Sequence, residues 1–478
     1  MFYEPGTSSP PPPEYDPKNE KRKFNGFSRS ETVEPFIEGT ETAPKDRNGL
    51  VWWIFLLHGI GVLMPWNMYI TIAHNYFEGF KLWEWRNATL PLKSDNASSF
   101  SLHPTEESRV FLHWMTICSQ TPNLVLNCLN IFIPIRGDLT RRITISISIV
   151  GLVVLLTDLL VFVDTSTWVT SFFYLTLILI ALLNGANGIY QSSIYGVVSD
   201  FPFKYTNAVI IGNNFCGTFV TILNILAVLV SSNPQYQAFV FFTISLFTIG
   251  LCYVSFFGLK YQEFYRYYSG QGIENRQQNC QGIISLTEYK RTIKEGWIQF
   301  VNVFLIFFVT LSLFPAVMMN VKPNAPKANG EFDYDFIFPK DQYVNISCFL
   351  LFNVFAFIGS MLASATKPLL SPKVLTICCW IRLLLIPAIV MCNYQPLGKG
   401  GARRKLAIWI LNPWAYMSLA MIMSLSSGYF SSLAMMYAPR VVDSSRARLA
   451  GMISAFILIC GVVAGLWFSV ILAQIVLW

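Results

Sequence analysis

LNGANGIYQSSIYGVVSD (183–200), FPFKYTNAVIIG (201–212) and NNFCGTFVTILN (213–224) run together as one stretch that is polar where its long flanks are apolar. At helical spacing Asn184, Asn187 or Gly188, Gln191, Tyr195 and Ser199 share one stripe. Gly212, Asn213, Gly217 and Asn224 make a looser stripe on the next segment. If the flanks cross a membrane, these amides lie at bilayer depth. There they are costly unless they meet a partner or a water-filled path. Helix-to-helix hydrogen bonding and glycine packing account for any one of them. Two adjacent spans that are polar together point instead to a path for a solute.

Composition supports the membrane reading. The 478 residues are 53% hydrophobic and only 13% charged, with a mean hydropathy of +0.47. A soluble chain carries about 25% charge. Many long apolar runs imply an all-α polytopic membrane protein, and the short alternating strands of a barrel are not found. The net charge of +7 lies in short loops, where basic residues set orientation, so no nucleic-acid partner is expected. Ten cysteines without CxxC spacing imply neither a disulfide framework nor a zinc site, and no cofactor is expected.

Outward from the opening stretch, eleven spans are expected. They lie near 51–77, 109–134, 142–163, 168–199, 205–232, 236–259, 297–320, 341–366, 373–393, 406–438 and 447–478. Residues 1–50 read as a disordered cytosolic tail, with a run of prolines followed by KNEKRK. Pro12, Pro13 and Tyr15 belong to a PPxY sequence, the kind of extended segment that docks on WW domains, although so short a motif also arises by chance. Residues 51–259 form a six-span half, 260–296 a basic cytosolic loop, and 297–478 a five-span half. With the N-terminus cytosolic, the loops after spans 1 and 7 are external. They carry the sequons at Asn87, Asn96 and Asn345. The C-terminus is then extracellular, and the expected residence is the plasma membrane. One loop disagrees: Arg403, Arg404 and Lys405 would face outside. Within span 1, Pro65 frees a backbone carbonyl that Asn67 is placed to satisfy.

GIGVLMPWNMYITIAHNYF (59–77), QSSIYG (191–196), GNNFCG (212–217), FPAV (314–317), FNVFAFIG (352–359) and GMISAFILICGVVAG (451–465) together resemble the equilibrative nucleoside transporter family. The resemblance runs through nearly the whole membrane portion. It implies a 6+5 arrangement like the major facilitator architecture less one helix, and passive, bidirectional transport of nucleosides. It further implies a cavity lined by Leu63, Trp66 and Ile70 of span 1, Gln120 and Asn123 of span 2, and Gln191 of span 4. Phe314 of span 7, Phe349 and Asn353 of span 8, and Val462 of span 11 complete it. Gly212 and Gly217 would let helices pack closely, and so would the GxxxG pair Gly461 and Gly465. Arg382 also matches a family arginine, which needs a partner or an aqueous contact.

One departure stands out. The family has an aspartate and an arginine three and seven residues after the span-8 asparagine, where this chain has Ala356 and Ser360. Losing one charge would strand the other; losing both strands none. The site is thus expected to be re-specified, with weaker or broader nucleoside recognition that extends toward nucleobases. Rival readings are a carrier of another small solute, such as an organic cation, a proton-coupled carrier, and a non-transporting receptor-like member. Proton coupling would draw on Asp158, read as solvated near the external end of span 3, or on His58 and His113, read as interfacial. An enzyme is not expected, since the spans hold no HExxH, Ser-Lys or paired-aspartate motif.

Overall fold

The computed structural model describes residues 44–87, 100–132, 139–231, 233–279, 286–324, 334–365, 370–396 and 404–477. The PPxY segment, Asn96 and Arg403 lie outside the described residues. The helices are α1 (Leu50–Ile72), α2 (Glu106–Phe132), α3 (Thr140–Leu160), α4 (Val169–Val198), α5 (Phe203–Val230), α6 (Pro234–Leu259) and α7 (Glu263–Asn279). They continue as α8 (Leu286–Leu313), α9 (Leu351–Ala365), α10 (Pro372–Ile381), α11 (Leu385–Val390), α12 (Pro413–Tyr437) and α13 (Ala447–Leu477).

Local chemistry sets several helix starts. Asn233, Ser371 and Asn412 each accept a backbone N–H of the helix they precede, and proline follows each in the first turn. Asp46 does the same for α1, accepting from Val51 N at 3.1 Å and Trp52 N at 3.2 Å. Its second oxygen also takes the Tyr205 hydroxyl at 3.0 Å, which ties α1 to α5.

Among the described residues ten helical segments are long and apolar enough to cross a membrane. The expected eleventh, α2, is helical throughout but is not among the ten. Gln120, Asn123, Asn127 and Asn130 on it lower its apolarity, and Asn123 and Asn130 meet α4 directly. The two expected loops also hold regular structure. Residues 260–296 contain α7 and the first turns of α8. The segment after span 1 begins as a π-helical continuation, Ala73–Lys81, followed by antiparallel strands β1 (Trp83–Asn87) and β2 (Phe100–Pro104). Asn87 therefore ends a strand. Asn345 opens the π-helical turn Asn345–Leu350 that leads into α9, with its amide donating to Gln342 Oε1 at 3.0 Å, rather than lying in a loop. Span 10 starts at Pro413, later than the expected 406, because Asn412 and Pro413 form the cap there.

Backbone contact joins α1 to α5. A β-carbon at Gly59 would fall 2.1 Å from the Val209 carbonyl oxygen, and one at Gly212 2.1 Å from that of Leu56. Likewise Gly461 and Gly465 of α13 face the carbonyls of Phe304 and Phe308 on α8, each 2.7 Å from a β-carbon position. The side chain of Asn67 reaches Cys216 Sγ of α5 at 3.6 Å, not the carbonyl freed by Pro65. The outlying Arg404 also gains an explanation. It donates to the carbonyls of Val390, Cys392, Tyr394, Leu406 and Ala407 at 2.7–3.0 Å, so it staples its own loop.

Candidate functional site

The stripe of α4 is buried. Asn184 donates back to Ile180 O at 3.0 Å, a local bond within the helix. Gln191 is 5% exposed, and Asn187 Oδ1 is enclosed without a partner among the described residues. Asn213 of α5 donates to the Tyr195 hydroxyl at 3.1 Å. Ser199 Oγ donates to Tyr195 O at 2.6 Å.

The facing surface of α2 continues this polarity. Gly188 leaves room for Asn123, whose Oδ1 lies 2.6 Å from where a β-carbon would stand. Asn130 donates to Ser193 Oγ at 3.4 Å. Between them Asn127 is fully buried, and neither its oxygen nor its nitrogen has a partner among the described residues. Asn123, Asn127 and Asn130 follow a 4,3 spacing, so they share one face of α2. Asn127 is not among the expected lining residues, although its place on that stripe, four residues after Asn123, is a signal the sequence carries.

A second group is aromatic. Phe314 stacks on Phe352 with centroids 3.8 Å apart, and meets Phe349 edge-on at 5.7 Å. Phe352 was missed, although it lies three residues from Phe349 on the same helical face. Asn353 sits over Gly217, with Oδ1 2.1 Å from the β-carbon position, and donates to Thr221 Oγ1 at 3.1 Å and Phe349 O at 2.9 Å. Leu63, Trp66, Gln120 and Val462 are half-buried, and Ile70 is 41% exposed. Gln120 reaches only the neighbouring Ser119 hydroxyl, at 3.5 Å. No hydrogen bond or ring contact joins the aromatic trio to Gln191 or Trp66 among the described residues.

Ala356 and Ser360 lie in helix contacts. The Ala356 carbonyl oxygen would fall 1.9 Å from a β-carbon on Gly428 of α12, and Asn214 of α5 donates to it at 3.5 Å. Ser360 is fully buried; its own hydroxyl bonds Phe357 O, and Asn207 of α5 donates to its carbonyl at 3.0 Å. Asn207, Asn214 and Thr221 recur at sevens, so one face of α5 is spent on α9.

Three ionisable groups differ from their sequence reading or complete it. His58 is fully buried rather than interfacial, sharing a 2.6 Å hydrogen bond with Tyr190 and an edge contact with Phe256. Asp158 is not simply solvated: Thr243 donates to one oxygen at 3.3 Å, and the other oxygen is enclosed. Arg382, 3% exposed, is met by neutral acceptors only among its described bonds. It donates to Ser426 Oγ, Ile306 O, Thr310 Oγ1 and Met423 O at 3.0–3.2 Å. Among the described residues no cluster of histidine, cysteine and carboxylate side chains could hold a metal ion. A cavity of about 650 Å³ opens beyond the end of α1, lined by His74, Glu78, Trp83, Ser108 and Gln237, none of them among the expected lining residues.

Known proteins agree with this architecture. The family model described as Nucleoside transporter matches residues 177–474. Equilibrative nucleoside transporter 1 of Homo sapiens is 30% identical, covering 91% of this chain and all of that protein. Equilibrative nucleoside transporter 2 of Rattus norvegicus is 26% identical over 88% of this chain and 96% of its own. The crystal structure of FucP, a major facilitator superfamily transporter in the outward conformation, superposes with a TM-score of 0.50 at 10% identity. It covers 89% of this chain and 96% of its own, a likeness of fold alone. A multi-span chain whose spans are all helical, with this family match and these full-length relatives, belongs to the equilibrative nucleoside transporter family and is a transporter, not an enzyme.

Proposed function

We propose that the chain is a facilitative carrier of nucleosides, extending to nucleobases, that works by alternating access. Eleven spans in halves of six (51–259) and five (297–478) rock about a site lined by the residues above. In this reading α2 is the eleventh span, the N-terminus is cytosolic, the C-terminus external, and the protein resides in the plasma membrane. A WW-domain protein at the PPxY tail and glycans on Asn87, Asn96 and Asn345 belong to the same reading.

The observation that carries it is the set of enclosed amide atoms on Asn123, Asn127, Asn187 and Asn213 that have no partner among the described residues. Burying an amide without a hydrogen bond costs roughly 2–7 kcal/mol on apolar-transfer scales. A solute whose hydroxyls and ring amines lose water on passing through the membrane needs such groups as substitutes. The Phe314–Phe349–Phe352 cluster supplies apolar surface for a base. Closure at one end supports alternation. Gly451 of α13 stands against Tyr195 and Ser199 of α4, and Arg448 pairs with Asp200.

The test is tracer flux into liposomes holding the purified protein, with labelled nucleosides, nucleobases and monoamines. Nucleosides should equilibrate, and collapse of a pH gradient should change nothing. A protein that equilibrates only monoamines, or no solute, overturns the reading. Selectivity has its own test in α9. Ala356→Asp alone leaves a carboxylate in a packed helix contact and should lower the yield of folded protein. Adding Ser360→Arg should recover the yield and raise ribose-dependent affinity about tenfold. Unchanged nucleoside affinity in a folded double variant would remove these positions from the site.

A further inference from the structure

The helix α7 lies within the segment that joins the two proposed halves, and its contacts reach both of them. Its first turns are clamped by aromatic rings. Phe201, between α4 and α5, stacks on Tyr265 with centroids 5.4 Å apart and meets Tyr268 at 5.7 Å. Tyr205 of α5 meets Phe264 at 5.1 Å. Phe201, Tyr205, Phe264 and Tyr265 are all buried, so this is a packed joint and not a surface tether.

Beyond the clamp, α7 passes over the ion pair that joins α4 to α13. Asp200 Oδ2 and Arg448 lie 2.5 Å apart, and both side chains are 2% exposed. Gly272 of α7 is buried against the carboxylate. A β-carbon there would stand 2.6 Å from Asp200 Cγ and Oδ2. The helix also packs on the single turn Ser444–Arg446 that leads into α13. Two residues earlier, Gly270 has open space around it. The close approach is therefore specific to the residue over the carboxylate.

We propose that α7 is a latch: held to the first half by its aromatic clamp, it lies across the Asp200–Arg448 pair and the start of α13 and biases the carrier toward closure on that side. This rests on the alternating-access reading above. Opening that face requires α13 to leave α4, which separates Asp200 from Arg448. While α7 covers the pair, water reaches neither charge, and separation leaves both poorly solvated. Lifting α7 lets water solvate each charge as they part. The closed population is thus set by contacts of the linker as well as by contacts between the halves.

The experiment uses the full chain with a reporter, Met452→Cys. Met452 is fully buried against Gly196 at the α4–α13 contact, so the smaller cysteine fits and becomes reactive only when that contact opens. Site-resolved alkylation by an impermeant maleimide is followed by mass spectrometry. Gly272→Val pushes a side chain into the Asp200 carboxylate and should speed alkylation about tenfold. Gly270→Val, with the same helix-propensity cost and open space, should leave the rate unchanged. Tyr268→Ala, which thins the clamp, should act in the direction of Gly272→Val. Equal rates for the parent, Gly272→Val and Gly270→Val overturn the latch. If Gly272→Val does not fold, an unchanged rate in Tyr268→Ala overturns it instead. The readout needs no solute, so absence of nucleoside flux would sink the transport reading while leaving the alkylation result to decide this one.

Discussion

Asn127 shows what a single residue can reveal. It is fully buried, both ends of its amide lack partners among the described residues, and it stands between two asparagines that do meet α4. A residue kept for static packing would be better as leucine, which fills similar space without the desolvation cost. Asn127→Leu should therefore stabilise the protein by about 1–3 kcal/mol while lowering solute flux. A melt in detergent beside uptake into liposomes checks both halves of that statement. A variant that is more stable and fully active would assign Asn127 to packing and withdraw it from the path. Arg382 teaches the converse. Its sequence context shows that a partner is needed but not which one. The structure answers with two hydroxyls and two helix carbonyls drawn from α8 and α12. A planar fork with five donors suits so dispersed a set of acceptors.

Elements are legible in sequence to the extent that local chemistry makes them. The caps at Asn233, Ser371 and Asn412 lie beside their prolines, and long apolar runs mark most helices. Helix α7 was not legible, because EFYRYYSGQGIENRQQN has neither an apolar run nor a strong amphipathic period. It is helical where its aromatic residues find Phe201 and Tyr205. The close approach of α1 and α5 is an element-scale property and gives a paired prediction. Gly212→Ala drives a methyl to 2.1 Å from the Leu56 carbonyl, so the helices must separate. It should cost about 1–3 kcal/mol. Gly250→Ala, on α6 with open space around it, should be neutral or stabilising by up to about 1 kcal/mol. Thermal melting of the two variants decides; equal behaviour would mean that the α1–α5 contact tolerates expansion.

At the scale of the whole molecule, orientation follows from charges that are free to choose a side. Arg404 is not one of them, since its guanidinium is spent on five carbonyls of the segment it belongs to. Replacing it with glutamine should leave the termini on the same sides of the membrane and lower the melting temperature by several degrees, because several carbonyls lose a charged donor. Protease protection of tagged termini, read beside a melt, separates the two effects; a reversed topology would return Arg404 to the ordinary role of a basic loop residue.

The residues alone determined that this chain is helical, crosses a membrane many times and carries its polarity in α4 and α5, because hydropathy and helical period are properties of neighbours along the chain. They also carried the motifs by which the family is recognised, spread from span 1 to span 11. Tertiary structure alone decided that His58 is buried against Tyr190, that Ala356 and Ser360 sit in helix contacts, and that Asn127 is left without a partner among the described residues. Those facts depend on which helix faces arrive opposite one another from distant parts of the chain. Packing sets them, and no local pattern records it.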